Sequence, residues 1–111
     1  MRVVAALGAL AQESRLQVFR LLVQRGPDGL AAGAIAETMD MPPNTLSFHL
    51  SQLSHAGLVT SRREGRSIVY SADYAAMQTL MAFLMENCCQ GKGCEPAAVP
   101  VRLRRRAPAN R

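Results

Sequence analysis

The chain has 111 residues, enough for one domain with a modest core and too few for two. Apolar residues make up 49% with only 5% aromatic and no Trp, so Leu, Ala, Val and Met must fill the interior, which favours helices over a sandwich. The formal charge of +5 suggests a nucleic-acid partner, yet Glu95 to Arg111 holds five Arg against one Glu, which is +4 of the total and leaves +1 on residues 1–94.

In chain order, Val3, Leu7 and Leu10 mark one side of a first helix running to Ala11. The opening "MRVVAALGALA" imitates a secretory signal, but its basic region is a single Arg and its apolar run continues into helical pattern. Nothing approaches the ~20 apolar residues of a membrane span. Ser14 with Gln17 three places on reads as a capping box for a second helix, in which Leu16, Phe19, Leu22 and Val23 keep helical spacing until Gly26-Pro27. After the turn "GPDG", a short third helix over Ala31–Met39 puts Ile35, Ala36 and Met39 on one face, and "DMPP" ends it.

Pro42-Pro43 suits the first turn of a fourth helix, in which Leu46, Leu50 and Leu53 repeat at i, i+4 and i+7 up to Gly57. That spacing leaves Asn44, Thr45, Ser47, Phe48, His49, Ser51 and Gln52 facing outward. Two β-rich runs, Leu58–Arg62 and Ser67–Ser71, flank Glu64-Gly65 and predict a hairpin. Asp73 caps a last helix with Met77, Leu80, Met81, Leu84 and Cys88 in a nearly heptad seam that wants a partner. Residues 1–94 form the expected domain, and 95–111, with three prolines and an Arg run, a solvated basic tail.

Two helices joined by a tight turn and followed at once by a hairpin make a winged helix-turn-helix: mainly α, with a β-hairpin wing. Small polar residues on the fourth helix would let its backbone approach a major-groove floor while Asn44, Thr45, Ser47, Phe48, His49 and Gln52 reach bases or phosphates. Arg62, Arg63 and Arg66 sit at the hairpin tip, where they can meet phosphates or the minor groove. An ordinary solvated helix would explain polar residues alone. An outward Phe48 and the lack of any acidic residue between Met41 and Arg63 point instead to DNA. A lone His is weaker evidence: His49 could hydrogen-bond within the motif, and His55 could cap its helix or face water. No nucleophile, base and orienting carboxylate assemble, so no enzyme is expected.

The stretches "LGALAQESRLQVFRLL" and "IAETMDMPPNTLSFHLSQLSHAGLVTSRREGRSIVYSA" resemble the ArsR-type winged-helix repressors, small bacterial metalloregulators, from about Leu7 to Leu84. The resemblance implies a homodimer whose fourth helix enters the major groove and which leaves DNA when a metal or metalloid arrives. It also implies that the first and last helices build the dimer interface, here Leu7, Leu10, Met77, Leu80, Met81 and Leu84. Two-fold symmetry would then demand an inverted-repeat operator.

Two departures from that family bear on the inducer. "AGAIAETMDMPP" lacks a Cys-x-Cys box, and "DYAAMQTLMAFLMENC" lacks the His of a zinc site on the last helix. What is left is Cys88, Cys89 and Cys94, which resembles the C-terminal triad of arsenic-responsive members. Gly91 and Gly93 would let the chain fold back to bring Cys94 to the other two. Three sulfurs satisfy a soft ion with three bonding directions, As(III) or Sb(III), whereas structural zinc wants four ligands. Three cysteines cannot pair evenly, and adjacent ones bond only through a strained ring, which favours a reducing cytoplasm. The expectation is a cytoplasmic, DNA-binding homodimer without a membrane segment, released from its operator by As(III). A thiol redox-responsive repressor, with Cys89 and Cys94 forming a disulfide, and a thiol metal carrier that ignores DNA are the alternatives.

Overall fold

The computed structural model describes residues 2–91; Cys94 and the tail expected over 95–111 lie outside the described residues. The elements run α1 (Val3–Leu10), α2 (Glu13–Arg25), β1 (Leu30–Ala31), α3 (Ala32–Met39), α4 (Pro43–His55), β2 (Val59–Glu64), β3 (Ser67–Ala72) and α5 (Tyr74–Leu84), followed by a single turn at Cys88–Gly91. This is the mainly helical fold with a β-hairpin wing that the spacing predicts. None of the described helices is long and apolar enough to cross a membrane.

The start of α2 differs from expectation. Its cap is Gln12, whose side chain accepts from Arg15 N at 2.8 Å, while Ser14 already lies inside the helix. The longer glutamine side chain reaches the third amide and does the work assigned to the serine. The buried stripe of α2 is Val18, Phe19 and Leu22, and Leu16 is exposed.

A left-handed Asp40 (φ 52°) ends α3, with Met41 N donating to Ala36 O at 3.0 Å in the six-to-one pattern of a Schellman turn. Residues 40–42 then complete the turn into α4, which opens on Pro43 where no amide partner is needed. Leu46, Leu50 and Leu53 of α4 pack with Val18, Leu22, Ile35 and Leu58 in the centre of the core. Each fully buried aliphatic side chain is worth about 1.5–3 kcal/mol, so this set fixes which face of α4 turns inward and therefore which face is left to solvent.

The sheet has strand order β1-β3-β2, all antiparallel. Glu64 pairs with Ser67, so Gly65-Arg66 is a two-residue turn, and Gly65 takes the positive φ (62°) that such a turn requires at its first position. The two-residue strand β1, unmarked by any periodicity, pairs Leu30 with Tyr70 and Ala31 with Val69. Gly29, at φ 75°, precedes it under the Tyr70 carbonyl and within 2.9 Å of Ser71 Oγ as measured from where a Cβ would stand, so a side chain there is excluded on two counts.

Asp73 caps α5 as expected, accepting from Ala76 N at 3.0 Å. The Tyr74 hydroxyl donates to Val23 O at 3.0 Å, which docks α5 on the end of α2 and satisfies a carbonyl the helix leaves open. The helix stops at Leu84, earlier than the seam predicted. Cys88 is therefore not a seam residue: hydrogen bonds tighten to i+3 at Glu86 N to Phe83 O (3.2 Å) and Cys88 N to Met85 O (2.9 Å), and Asn87 turns left-handed (φ 58°).

Candidate nucleic-acid interface and thiol site

Asn44, Thr45, Ser47, Phe48 and Ser51 stand exposed on the outer face of α4, with Phe48 57% exposed and Gln52 half-buried at its flank. His49 does not share that face, contrary to expectation. It is only 8% exposed, because at 3.6 residues per turn position 49 falls inside the buried stripe of 46, 50 and 53. Its Nδ1 lies 3.3 Å from Arg15 Nη1, and Arg15 Nε donates to Ala9 O at 2.8 Å. Arginine can only donate, so Nδ1 accepts and His49 is the neutral tautomer with its proton on Nε2. Burial, and secondarily the Arg15 charge, hold its pKa below the ordinary 6.5. Arg15 thus ties α1 to α4 through α2, a role no local pattern announces because the partners are 34 residues apart.

The three wing arginines differ. Arg62 is already engaged, with Nε on Glu64 Oε2 at 2.7 Å and Nη2 on Asp28 O at 2.8 Å, so it pins the wing to the loop before β1. Arg63, opposite Ile68, and Arg66, in the turn, are exposed and make no hydrogen bond or ion pair among the described residues.

The apolar seam divides. Leu80 is 6% exposed and belongs to the protomer's own core, and Met77 and Leu10 pack half-buried against it, so Leu80 is not available as an interface residue. Met81 (58% exposed) and Leu84 (57%) do face outward, and Phe83 on α5, Met85 just beyond it, and Val4 and Leu7 on α1 are exposed as well. Val4, Phe83 and Met85 fall outside the heptad template and are missed by it.

Beyond α5, the sulfurs of Cys88 and Cys89 lie 3.6 Å apart. The turn that carries them is made by Asn87, Cys89 and Gln90 at φ 54–58° and by Gly91 at 81°, while Gly93, the other glycine expected to fold the chain back, lies outside the described residues. Among the described residues no three His, Cys, Asp or Glu side chains converge on a metal-sized site; Cys94 is outside them.

Comparison with known proteins gives these features a family. A helix-turn-helix domain model matches residues 10–62. The homodimeric winged helix-turn-helix DNA-binding domain Mb0332 of Mycobacterium bovis, proposed as an ArsR-family transcriptional regulator, is 32% identical over 84% of this chain and 86% of that one, with a TM-score of 0.61. The chain belongs to the ArsR-type winged-helix transcriptional regulators. Within that family, HlyU from Vibrio cholerae is 30% identical over 78% of this chain and 91% of its own, with a TM-score of 0.61. A protein of Halobacterium salinarum proposed as the arsenical resistance operon repressor ArsR is 38% identical over 57% of this chain and 48% of its own.

Proposed function

We propose that this ArsR-type regulator is a homodimeric repressor that holds an inverted-repeat operator and releases it when As(III), or Sb(III), binds Cys88, Cys89 and Cys94. The observation that carries the inducer assignment is the Cys88–Cys89 sulfur separation of 3.6 Å directly beyond α5. Cys89 is disulfide-bonded in this structure, so the reading requires reduction first, after which Cys88 and Cys89 would offer a single soft ion two sulfurs from adjacent positions. Neither residue lies in the DNA-facing half, and neither can serve a Cys-x-Cys box, which leaves the end of α5 as the sensing position. The arsenical repressor named for Halobacterium salinarum supports the same inducer class.

On the operator, Asn44, Thr45, Ser47, Phe48 and Gln52 supply base and sugar contacts from α4, with Asn44 and Gln52 able to pair adenine edges bidentately. Arg63 and Arg66 neutralise phosphates. His49 takes no direct part and instead keeps α4 in register with α1 through Arg15. The second copy docks on exposed apolar residues of α5 and α1, Met81, Leu84, Val4 and Leu7, as a homodimeric relative such as Mb0332 suggests. Drawing three thiols onto one ion at the end of α5 would shift this interface, and the tie from Ala9 to Arg15 to His49 would carry the shift to the recognition helix. A coupling of about 1–3 kcal/mol suffices for a 5- to 150-fold loss of DNA affinity.

Fluorescence anisotropy with the chain's own promoter DNA tests the reading. Apo protein should bind, As(III) should release it, and Zn(II) should not. Release by peroxide but not As(III) would replace the metalloid with a thiol redox signal, and absence of any salt-sensitive duplex binding would leave a thiol metal carrier.

A further inference from the structure

Between the N-terminal end of α1 and the C-terminal half of α4 lies a cleft of about 250 Å³ lined by Arg2, Ala5, Gly8, Ala9, Arg15, Gln52, His55 and Ala56. Its polar lining includes two arginines and no carboxylate. Arg15 is anchored by Nε on Ala9 O and by Nη1 at His49, so its guanidinium is fixed in place while Nη2 has no partner among the described residues. Arg2 and the Gln52 side chain have none there either. His55 Nδ1 is 3.1 Å from Ser51 O, a carbonyl that can only accept, so Nδ1 carries the proton and the ring is held with its other edge available. Two permanent positive charges, an amide and an imidazole thus surround a partly enclosed space with the small residues Ala5, Gly8 and Ala9 as its floor.

Arg2 is exposed and Arg15 half-buried beside the same recess, so their guanidinium donors converge on one space with no carboxylate among its lining residues. We propose that this cleft is a binding site for a phosphate-type oxyanion, with Arg2 and Arg15 giving charge-assisted hydrogen bonds and the Gln52 amide an orienting donor, while His55, its proton turned to Ser51 O, only frames the cleft. The same chemistry comes from two sources: a backbone phosphate of bound DNA, since α4 borders the cleft, or a free phosphate-bearing small anion. The site rests on the cleft itself, and only the first source rests on the DNA-binding reading.

The test has two arms on the full chain. In the first, inorganic phosphate is titrated at constant ionic strength against the DNA-free protein by amide NMR, with chloride as control. Saturable shifts at Ala5, Gly8, Ala9, Gln52 and Ala56 are expected, and Arg2→Gln and Gln52→Ala, at an exposed and a half-buried position, should abolish saturation while leaving the rest of the spectrum in place. In the second, the slope of log K against log salt is measured on a short random-sequence duplex. A backbone phosphate in the cleft predicts that Arg2→Gln flattens the slope by about 1 per protomer. Saturable phosphate with an unchanged slope assigns the cleft to a free anion. Saturable phosphate with no duplex binding at all keeps the site and overturns the DNA-binding reading. Shifts that grow linearly with phosphate, or that persist unchanged in both variants, overturn the proposal.

Discussion

Replacing Arg63 and Arg66 by Ala separates the arginines that are free to meet DNA from the one that is not. Each protomer presents these two exposed cations at the wing tip, so a dimer presents four. Each neutralised phosphate releases about 0.9 of a counterion, and the slope of log K against log salt should therefore flatten by roughly 3–4 in the double variant. Arg62→Ala should behave otherwise. Its guanidinium is already bonded to Glu64 at 2.7 Å and to Asp28 O at 2.8 Å, so its loss mainly frees the wing from the loop before β1. An exposed pair of this kind contributes at most about 1 kcal/mol. Anisotropy titrations over a range of salt, for wild type and both variants on one duplex, read the slopes directly. A slope change for Arg62→Ala equal to or above that of the double variant would refute the division of labour, as would an unchanged slope with altered base preference.

Other substitutions probe the remaining parts. Since burial and Arg15 hold the His49 pKa below 6.5 in the folded state, the unfolded chain binds that proton first. Its contribution is complete above about 6.5 and is lost as pH falls toward the lower folded value; His49→Asn should remove this part of the pH dependence in urea denaturation, and an identical pH profile would contradict the buried neutral histidine. Leu84→Asp, on a side chain 57% exposed in the protomer, should give a folded monomer in sedimentation and no operator binding, whereas a dimeric variant would move the interface elsewhere. Gly29→Ala should cost more than about 1 kcal/mol, because φ is +75° and the new Cβ meets the Tyr70 carbonyl; a neutral result in thermal denaturation would show that the β1–β3 pairing yields freely.

The architecture was legible where apolar spacing is long and regular. Leu46, Leu50 and Leu53 fix α4, Asp73 fixes the start of α5, and the alternating runs around Gly65 fix the wing. The two-residue strand β1 carries no period to read and exists only because β3 offers it an edge. Position 49 falls within the stripe of 46, 50 and 53, yet a histidine among outward polar residues looks polar, and its partner Arg15, 34 residues away, is announced by no local pattern. The heptad spacing of α5 implies one surface, yet Leu80 and Met81 point to opposite environments, since one stripe serves the protomer's core and the next the exposed face. Cys88 continues the same spacing, and nothing in "MENCC" forbids a further turn. The left-handed Asn87 that ends it is a backbone choice that sequence only permits.

The central claim, that three thiols at the end of α5 couple a metalloid to DNA release, is tested most directly by operator anisotropy with As(III) on wild type and on Cys88→Ser, Cys89→Ser, Cys94→Ser and the triple variant. The account predicts near-normal apo binding in every variant, release of wild type by As(III), and failure of release in each single substitution. Full As(III) release of the triple Cys→Ser protein would contradict it.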